Sequence, residues 1–392
     1  MTSDWKEFTL GDITDLVIDY RGKTPKKLGG DWSKSGYRAL SAKNIKTGRI
    51  VQPDTIRYVD EEMYQKWMKD EVKRGDILIT SEAPFGQIFF WDSDEKIVLS
   101  QRPFCVRIKS EYDPRFIYYY MITPEFQGEL DGRATGTTVV GLRQPELMKC
   151  KIRCPEIQNQ KAIAEILSSI DAKILANDKI NDNLQQQASA LFDSFYKRAI
   201  VEVGFTEIIQ ILGGGTPKTG ESSYWNGLIP FFTPKDVGSP YTLSTEKTIT
   251  EEGLSHCNSR LYPVNTVFVT ARGTVGKVGM SGVPMAMNQS CYALVGNDTH
   301  QLLVYFYTLK AVDRLKHKAS GAVFDAITTR DFDSECIMKL SAGDEKAFLD
   351  VAEPIYQALL SNSIENMRLA VLRDSLLLKL MSGEIDVSNI QP

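Results

Sequence analysis

The feature of the sequence that most constrains its fold is an internal repeat running through the whole chain of 392 residues. The segment "GKTPKK" begins at Gly22, and "GGTPKT" begins at Gly214, 192 positions later. The same offset carries "LSAKNI" (40–45) onto "FTPKDV" (232–237). Because a repeat requires each copy to fold as a similar unit, it determines the architecture before any single motif does.

Further segments extend the repeat at slightly smaller offsets. "GDILITSEAPFGQIFF" (75–90) matches "NTVFVTARGTVGKVGM" (265–280) at an offset of 190, and "VLSQRPFCV" (98–106) matches "AMNQSCYAL" (286–294) at 188. Small deletions in surface loops produce such steps. Short apolar runs between glycine, proline and polar clusters predict strands and turns. Each copy is therefore predicted to begin as a compact α+β domain of about 150 residues.

Each copy ends in a long segment with heptad periodicity. Residues 157–198 contain neither proline nor glycine, and apolar residues recur along them every three and four positions. An offset of 185 places the same pattern on a second segment, and asparagines occupy the same two seam positions in both, at Asn177, Asn181, Asn362 and Asn366. A polar residue in a helix seam can fix register, so these asparagines are predicted to form one central polar layer. The alternative is that they are solvent-facing breaks in an amphipathic helix.

Chain connectivity then predicts an antiparallel helix pair, because the first helix ends where the second globular part begins. About 40 helical residues span roughly 60 Å. The predicted fold class is α+β, with two tandem-repeat globular domains joined by two long antiparallel helices that form a coiled-coil spacer with pseudo-twofold symmetry. The predicted domains are 1–155, 201–341 and the helical segments 156–200 and 342–392.

Composition favours an ordinary globular protein, with a net charge of −4 and 42% hydrophobic residues. There is no apolar run of about 18 residues and no signal-peptide pattern, so a cytoplasmic protein without a membrane partner is expected. The scattered cysteines predict reduced thiols rather than a metal site, although Cys150 and Cys154 are close enough to share a metal. The segment from Arg21 to Arg49 contains nine lysine and arginine residues and a single acidic residue, Asp31. This basic strip is either a solvated loop or a surface facing phosphates.

Tests for catalytic motifs mostly exclude an enzyme. The phosphate-binding loop suggested by Gly22-Lys23-Thr24 fails because Val17 stands where its first glycine belongs. The chain has no Pro-Pro dipeptide, which the base-holding loop of adenine amino-methyltransferases needs. A metal-dependent nuclease remains as an alternative, built from Asp54 and the Glu71-Val72-Lys73 segment.

The combination of domain order and motifs resembles the specificity subunit of type I restriction-modification systems, over essentially the whole chain. The motifs are "GKTPKK" and "GGTPKT", "IPFFTPKDV", "TARGTVGKV", "MNQSCYALV" and the ending "LMSGEIDV". The first copy differs from these motifs: it has "SEAPFGQIFF" where the second has "TARGTVGKVG", and "LSAKNI" where the second has "FTPKDV". The resemblance implies a non-catalytic subunit in which each globular domain reads half of a bipartite, asymmetric DNA target.

The resemblance also implies the partners. They are double-stranded DNA, two methyltransferase subunits docked on the helices, and motor-nuclease subunits in the full complex. No cofactor is expected in this chain, since the methyl donor and ATP would belong to the partner subunits. A second alternative is a stand-alone DNA-binding regulator derived from such a subunit.

The candidate DNA contacts are basic, amide or acidic side chains in or near the repeated loops. Lysine and arginine bind phosphates and guanine, and glutamine or asparagine can bond adenine. The glutamines could instead tie loops together. The candidates are Lys23, Lys26, Lys27, Lys43, Asn44, Lys46, Gln101, Arg133 and Arg143 in the first copy, and Lys218, Lys235, Asp236, Arg272, Lys277, Gln289 and Arg330 in the second.

Overall fold

The computed structural model describes residues 5–136, 140–238, 240–318 and 326–388. The chain forms two compact units: unit 1 contains Met1–Ala172 and Leu369–Pro392, and unit 2 contains Lys173–Arg368. The boundary between them falls inside both long helices. Each unit therefore contains a globular part and a segment of each long helix, with the longer segments in unit 2. The division of the sequence at 155, 200 and 341 stays a prediction.

The globular part of unit 1 is built on small sheets whose strands pair antiparallel, except that β3 (Tyr37–Leu40) pairs in parallel with β9 (Ile97–Leu99). A four-stranded sheet has the order β2-β10-β7-β8, a three-stranded sheet has the order β6-β3-β9, and β1-β11 and β4-β5 form pairs. The strands are β1 (Lys6–Thr9), β2 (Thr14–Ile18), β3 (Tyr37–Leu40), β4 (Ile45–Lys46), β5 (Arg49–Ile50), β6 (Arg57–Val59), β7 (Ile77–Thr80), β8 (Ile88–Phe90), β9 (Ile97–Leu99), β10 (Pro103–Ile108) and β11 (Lys151–Cys154).

The helices of unit 1 start at clear capping signals. The carboxylate of Asp113 accepts hydrogen bonds from the amides of Arg115 and Phe116, at 3.0 and 2.8 Å, and proline occupies the first helical position of both α3 and α4. Such caps satisfy amides that have no partner within the helix. The helices are α1 (Leu10–Ile13), α2 (Glu61–Trp67), α3 (Pro114–Met121), α4 (Pro124–Arg133), α5 (Gln144–Leu147) and α6 (Ile157–Arg198), whose second half belongs to unit 2.

Unit 2 repeats this arrangement. Its strands are β12 (Val201–Gly204), β13 (Ile209–Gly213), β14 (Trp225–Phe232), β15 (Tyr241–Thr242), β16 (Lys247–Ile249), β17 (Val267–Thr270), β18 (Val278–Ser281), β19 (Ala286–Met287), β20 (Cys291–Gly296) and β21 (Cys336–Lys339). Its helices are α7 (Phe205–Ile208), α8 (Glu251–Ser255), α9 (Gln301–Lys318), α10 (Thr329–Asp333) and α11 (Ala342–Met381), whose last part belongs to unit 1.

The strand ladders confirm the repeat predicted from the sequence. The sheets β13-β20-β17-β18, β16-β14-β19 and β12-β21 repeat the orders of unit 1, and β15 adds one edge strand. Register agrees residue by residue: Ala39 in β3 pairs with Arg57, and Phe231 in β14, 192 positions after Ala39, pairs with Lys247. The α+β fold with two repeated globular parts is confirmed.

The long helices pair antiparallel within each unit and supply part of its core. In unit 1, Ile163 and Leu167 of α6 share a core with Leu377 and Leu380 of α11. Burying each such side chain stabilises the fold by about 1.5–3 kcal/mol. In unit 2 the corresponding core contains Phe192 of α6 with Phe348, Ala352 and Leu359 of α11. The aromatic runs "FIYYY" (116–120) and "YFY" (305–307) are buried in these cores.

Candidate nucleic-acid interface

The first copy of the Gly-x-Thr-Pro-Lys loop holds most of its lysines against the protein. Pro25 leads into a short 3₁₀ helix, Lys26–Leu28, which ends at Gly29 with a φ of 83°. Lys23 donates to the carbonyl of Trp67 at 2.9 Å, and its burial lowers the pKa of the Lys23 ammonium. Lys27 donates to the carbonyl of Gly22 at 2.7 Å, whereas the Lys26 side chain is exposed. Lys26 is therefore the best placed of these three predicted contacts.

The second copy is tied down by neighbouring loops instead. The hydroxyl of Thr216 donates to the side-chain oxygen of Gln289, and the indole N–H of Trp225 donates to the carbonyl of Lys218 at 3.3 Å. A Cβ on Gly214 would lie 2.2 Å from the carbonyl oxygen of Asn288, so the close approach of these two loops requires glycine there. Gln289 thus ties loops together through its oxygen, while Lys218 is exposed.

The repeated "LSAKNI" and "FTPKDV" segments form the same capped turn. The Asn44 side chain accepts from the amide and hydroxyl of Ser41 at 3.2 and 2.7 Å, and Asp236 accepts from those of Thr233 at 2.8 and 2.6 Å. Asn44 is 1% exposed, and its amide nitrogen donates to Gln52 and Thr55, so the folded turn does not present the Asn44 side chain to solvent. The other carboxylate oxygen of Asp236 accepts from the amide of Glu246 at 2.8 Å. Both side chains shape the turn rather than project from it.

The lysines beside these two caps remain on the surface. Lys43 and Lys46 are exposed in unit 1, and Lys235 is exposed in unit 2, where it lies 3.8 Å from the carboxylate of Glu246. A cavity of about 140 Å³ opens beside Lys43. Gln101, which is also exposed, lines the same cavity. The structure thus brings two predicted contacts of unit 1, Lys43 and Gln101, to one site.

The remaining predicted contacts are all basic side chains, and they differ in whether acidic side chains pair with them. Arg133 forms ion pairs with Glu129 at 3.1 Å and Glu146 at 3.8 Å, so its charge is already compensated. Arg143 is exposed immediately before α5. In unit 2, exposed side chains are found at Arg272, Lys277 and Arg330.

Sequence reasoning missed two basic residues that face tryptophans. The guanidinium of Arg57 lies 5.1 Å from the ring centroid of Trp32, and the ammonium of Lys247 lies 5.7 Å from that of Trp225. The repeat itself contains the signal that would have found them, because an offset of 190 carries Arg57 onto Lys247.

The predicted asparagine layer is present between the two helices. Asn177 donates to Asn366 at 2.8 Å, and Asn362 donates to Asn181 at 2.9 Å, so the repeat relates one pair to the other. Asn177 also donates to Glu365 at 2.8 Å, and this bond lowers the pKa of the Glu365 carboxyl. Since Asn177 is only 1% exposed, the alternative of solvent-facing breaks is wrong for this position.

Comparison with known proteins identifies the family. The family model described as "Type I restriction modification DNA specificity domain" matches residues 2–186 and 200–339. The chain belongs to this family.

The chain has low sequence identity to members of the specificity-domain family. The chain is 22% identical to the HindI specificity subunit of Haemophilus influenzae, over 98% of this chain and 100% of the relative. It is 30% identical to the MjaVIII specificity subunit of Methanocaldococcus jannaschii, over 47% of this chain and 43% of the relative. A crystal structure of the specificity subunit from M. genitalium shares the fold, with a TM-score of 0.62 at 16% identity and 96% coverage of both chains.

Of the residues predicted for the alternative nuclease site, Glu71 is engaged elsewhere, whereas the side chains of Asp54 and Lys73 are exposed. Glu71 accepts from the ammonium of Lys96 at 2.9 Å, which lowers the pKa of its carboxyl.

Cys150 and Cys154 are buried free thiols, and burial raises the pKa of Cys150 to about 11 and of Cys154 to about 12. Cys336 is also a free thiol, but it is exposed. Within the described ranges, no three His, Cys, Asp or Glu residues are grouped as metal ligands.

The described helices include none that is both long enough and apolar enough to cross a membrane.

Proposed function

We propose that this member of the specificity-domain family is the non-catalytic specificity subunit of a type I restriction-modification complex. Each globular part reads one half of a bipartite, asymmetric DNA sequence. The observation that carries the proposal is the duplicated loop framework, in which the same capped turn presents an exposed lysine in each unit, Lys43 and Lys235. Because the side chains around the two turns differ, the two half-sites are expected to differ as well.

The long helices are proposed to dock two methyltransferase subunits. Several large apolar side chains of α6 and α11 are exposed within their own units, with Val371 the most exposed at 68%. Exposed apolar groups that are not covered within the unit favour a protein partner. The others are Leu175, Ile180, Val351, Met367, Leu372 and Leu378.

We propose that the chemistry belongs to the partners. The methyl donor would bind the methyltransferase subunits, and ATP would bind the motor-nuclease subunits that join them for cleavage. The contribution of this chain is positioning: fixed basic and polar groups select the sequence, and the docked subunits then act on adenines within it.

The decisive experiment is to express the chain with a methyltransferase subunit encoded beside its gene and to map methylated adenines across the host genome. A two-part motif with a constant number of unspecified base pairs is expected. Exchanging residues 1–155 for those of a relative should change one half of the motif and leave the other intact. Inserting one heptad into both helices should lengthen the unspecified spacer.

Two results would contradict the proposal in different ways. DNA binding without recruitment of any methyltransferase would identify a stand-alone regulator. Metal-dependent cutting of DNA by the purified chain, lost in Glu71→Gln, would instead identify a nuclease.

A further inference from the structure

Two basic side chains occupy equivalent positions in the two units and face tryptophans. Arg57 begins β6 opposite Ala39, and Lys247 begins β16 opposite Phe231. Each cation lies over an indole ring, at 5.1 Å in unit 1 and 5.7 Å in unit 2. A cation held over an aromatic ring has a restricted orientation, and its N–H donors stay available to a further partner.

Most arginines in the globular part of unit 1 are neutralised by carboxylates, but Arg57 is not. Arg21, Arg38, Arg74, Arg102, Arg107, Arg115 and Arg133 each form an ion pair with an acidic side chain. Arg57 is exposed, and none of the described residues forms an ion pair or a side-chain hydrogen bond with it. A guanidinium that is held in one orientation and has no carboxylate partner can donate its N–H hydrogen bonds to an acceptor on a ligand.

The cavity beside Arg57 is lined by groups that suit the edge of a base. It has a volume of about 140 Å³, and its lining includes Trp32, Lys43, Arg57 and Gln101 together with serine and threonine hydroxyls. Among the described residues, two cations and no carboxylate line it.

In both units the tryptophan is linked to the Gly-x-Thr-Pro-Lys loop. Trp32 packs 6.1 Å from Trp67, whose carbonyl accepts from Lys23 of the loop at 2.9 Å. In unit 2, Trp225 itself donates to the loop carbonyl of Lys218. The loop, the tryptophan and the cation therefore form one assembly in each unit.

We propose that Arg57, oriented by Trp32 and assisted by Lys43, is a specificity-determining residue of unit 1 that reads a guanine in the DNA major groove. Guanine offers two acceptors, O6 and N7, to which arginine binds with two parallel hydrogen bonds. Lys247 on Trp225 performs the same task in unit 2. This inference rests on the proposed function, since it names the base-reading group of a DNA-binding domain.

The test begins with the wild-type chain and its methyltransferase partner, whose methylated adenines define both half-sites. Arg57→Ala, Arg57→Lys, Trp32→Phe and Lys247→Ala are then compared with Arg74→Ala, a matched control. Arg74 is exposed in the same unit but is paired with Asp92 and Asp94. Binding is measured on duplexes that contain the mapped target and on duplexes with each base pair changed singly, across a series of salt concentrations.

Arg57→Ala is expected to bind the intact target about 10- to 100-fold more weakly and to lose discrimination at one G·C pair of one half-site. Lys247→Ala should lose discrimination in the other half-site only, so each variant is a control for the other. Trp32→Phe should give an intermediate loss, and Arg57→Lys should retain part of the discrimination. Circular dichroism and unfolding midpoints of the free variants should match those of the wild type.

Two results would overturn this inference while leaving the proposed function intact. One is uniform weakening of Arg57→Ala on every duplex, with the slope of log K against log salt reduced by about 0.9, which would mean a phosphate contact only. The other is unchanged specificity and affinity in Arg57→Ala. Failure of the wild type to produce any two-part methylation motif would instead count against the proposed function.

Discussion

The two units share their strand ladders but differ where the globular part meets the helix pair. In unit 1 this junction is polar: Tyr119 donates to Asp171 at 2.6 Å, and Arg373 donates to the other oxygen of Asp171 at 2.8 Å. The offset of 185 places Tyr356 and Ala188 of unit 2 at the positions of Asp171 and Arg373. There the junction is aromatic: the ring of Phe192 stacks on that of Phe306 at 4.7 Å and lies edge-to-face with that of Phe348 at 5.4 Å.

This difference shows what the duplication preserved. The hydrophobic pattern of the strands and the geometry of the turns set register, and both copies retain the same strand orders although the side chains at the junction differ. Side chains at the junction only need to fill space and satisfy buried polar groups, which a charged network and an aromatic cluster both achieve. The same freedom applies to the surface loops, where Lys43 stands without an acid beside it in its cavity but Lys235 lies near Glu246.

The largest effect is expected from breaking the aromatic junction. Phe192→Ala removes a fully buried ring and should destabilise unit 2 by about 3–5 kcal/mol, because the cavity left behind cannot collapse completely. Hydrogen–deuterium exchange should show faster exchange in α9, while α3 of unit 1 keeps its protection. Equal loss of protection in α3 and α9 would contradict a junction that acts within its own unit.

Changing the equivalent residues Asp171 and Tyr356 should separate the polar junction from the aromatic one. Asp171→Ala leaves the buried Tyr119 hydroxyl without its acceptor and should cost about 1–3 kcal/mol. The Tyr356 hydroxyl is buried and lacks a hydrogen-bond partner among the described residues, so Tyr356→Phe should be neutral or slightly stabilising. Urea unfolding measures the free energy of unfolding of both variants. A larger loss of stability for Tyr356→Phe than for Asp171→Ala would contradict the expected difference between the two junctions.

A smaller effect should come from making the loop of unit 2 more like that of unit 1. Glu246→Gln removes the acid beside Lys235, and DNA affinity should rise about two- to five-fold, since exposed ion pairs contribute at most about 1 kcal/mol. Binding to the mapped target at several salt concentrations measures the change. Glu62→Gln is the matched control, because Glu62 forms an exposed pair with Lys66 along α2 and should leave DNA affinity unchanged.

The smallest effect is expected from the two asparagine pairs, which differ because Asn177 donates to Glu365 and Asn366 donates to Asp178, both at 2.8 Å. The hydrogen bond from Asn177, and then that from Lys173, lowers the pKa of Glu365 below its ordinary 4.5. A lowered pKa in the folded state adds stability above the unfolded pKa, and this contribution is lost as the pH falls through the folded value. The melting temperature of Glu365→Gln should therefore fall less than that of the wild type between pH 5 and pH 3. Glu202→Gln, a change at an exposed position of β12, should follow the wild-type curve.

Much of the architecture could be predicted from the sequence because it repeats. An offset that falls in small steps from 192 to 185 revealed the two copies, and heptad periodicity revealed α6 and α11 with asparagines at matching positions. The candidate DNA contacts were predicted less well. Asn44 and Asp236 align with each other, as a shared turn requires, but sequence alone could not show that their side chains cap that turn instead of facing solvent.

Repetition and periodicity thus determined which segments form strands, which form long helices and which positions correspond, because these properties follow from local spacing along the chain. Only the tertiary structure decided which arginine and lysine side chains have no acidic partner among the described residues. Arg133 looked available until folding brought Glu146 of α5 within 3.8 Å of it, and Arg57 drew no attention until folding placed it over Trp32. Charge compensation depends on distances of a few ångströms between residues far apart in the chain, which periodicity does not determine.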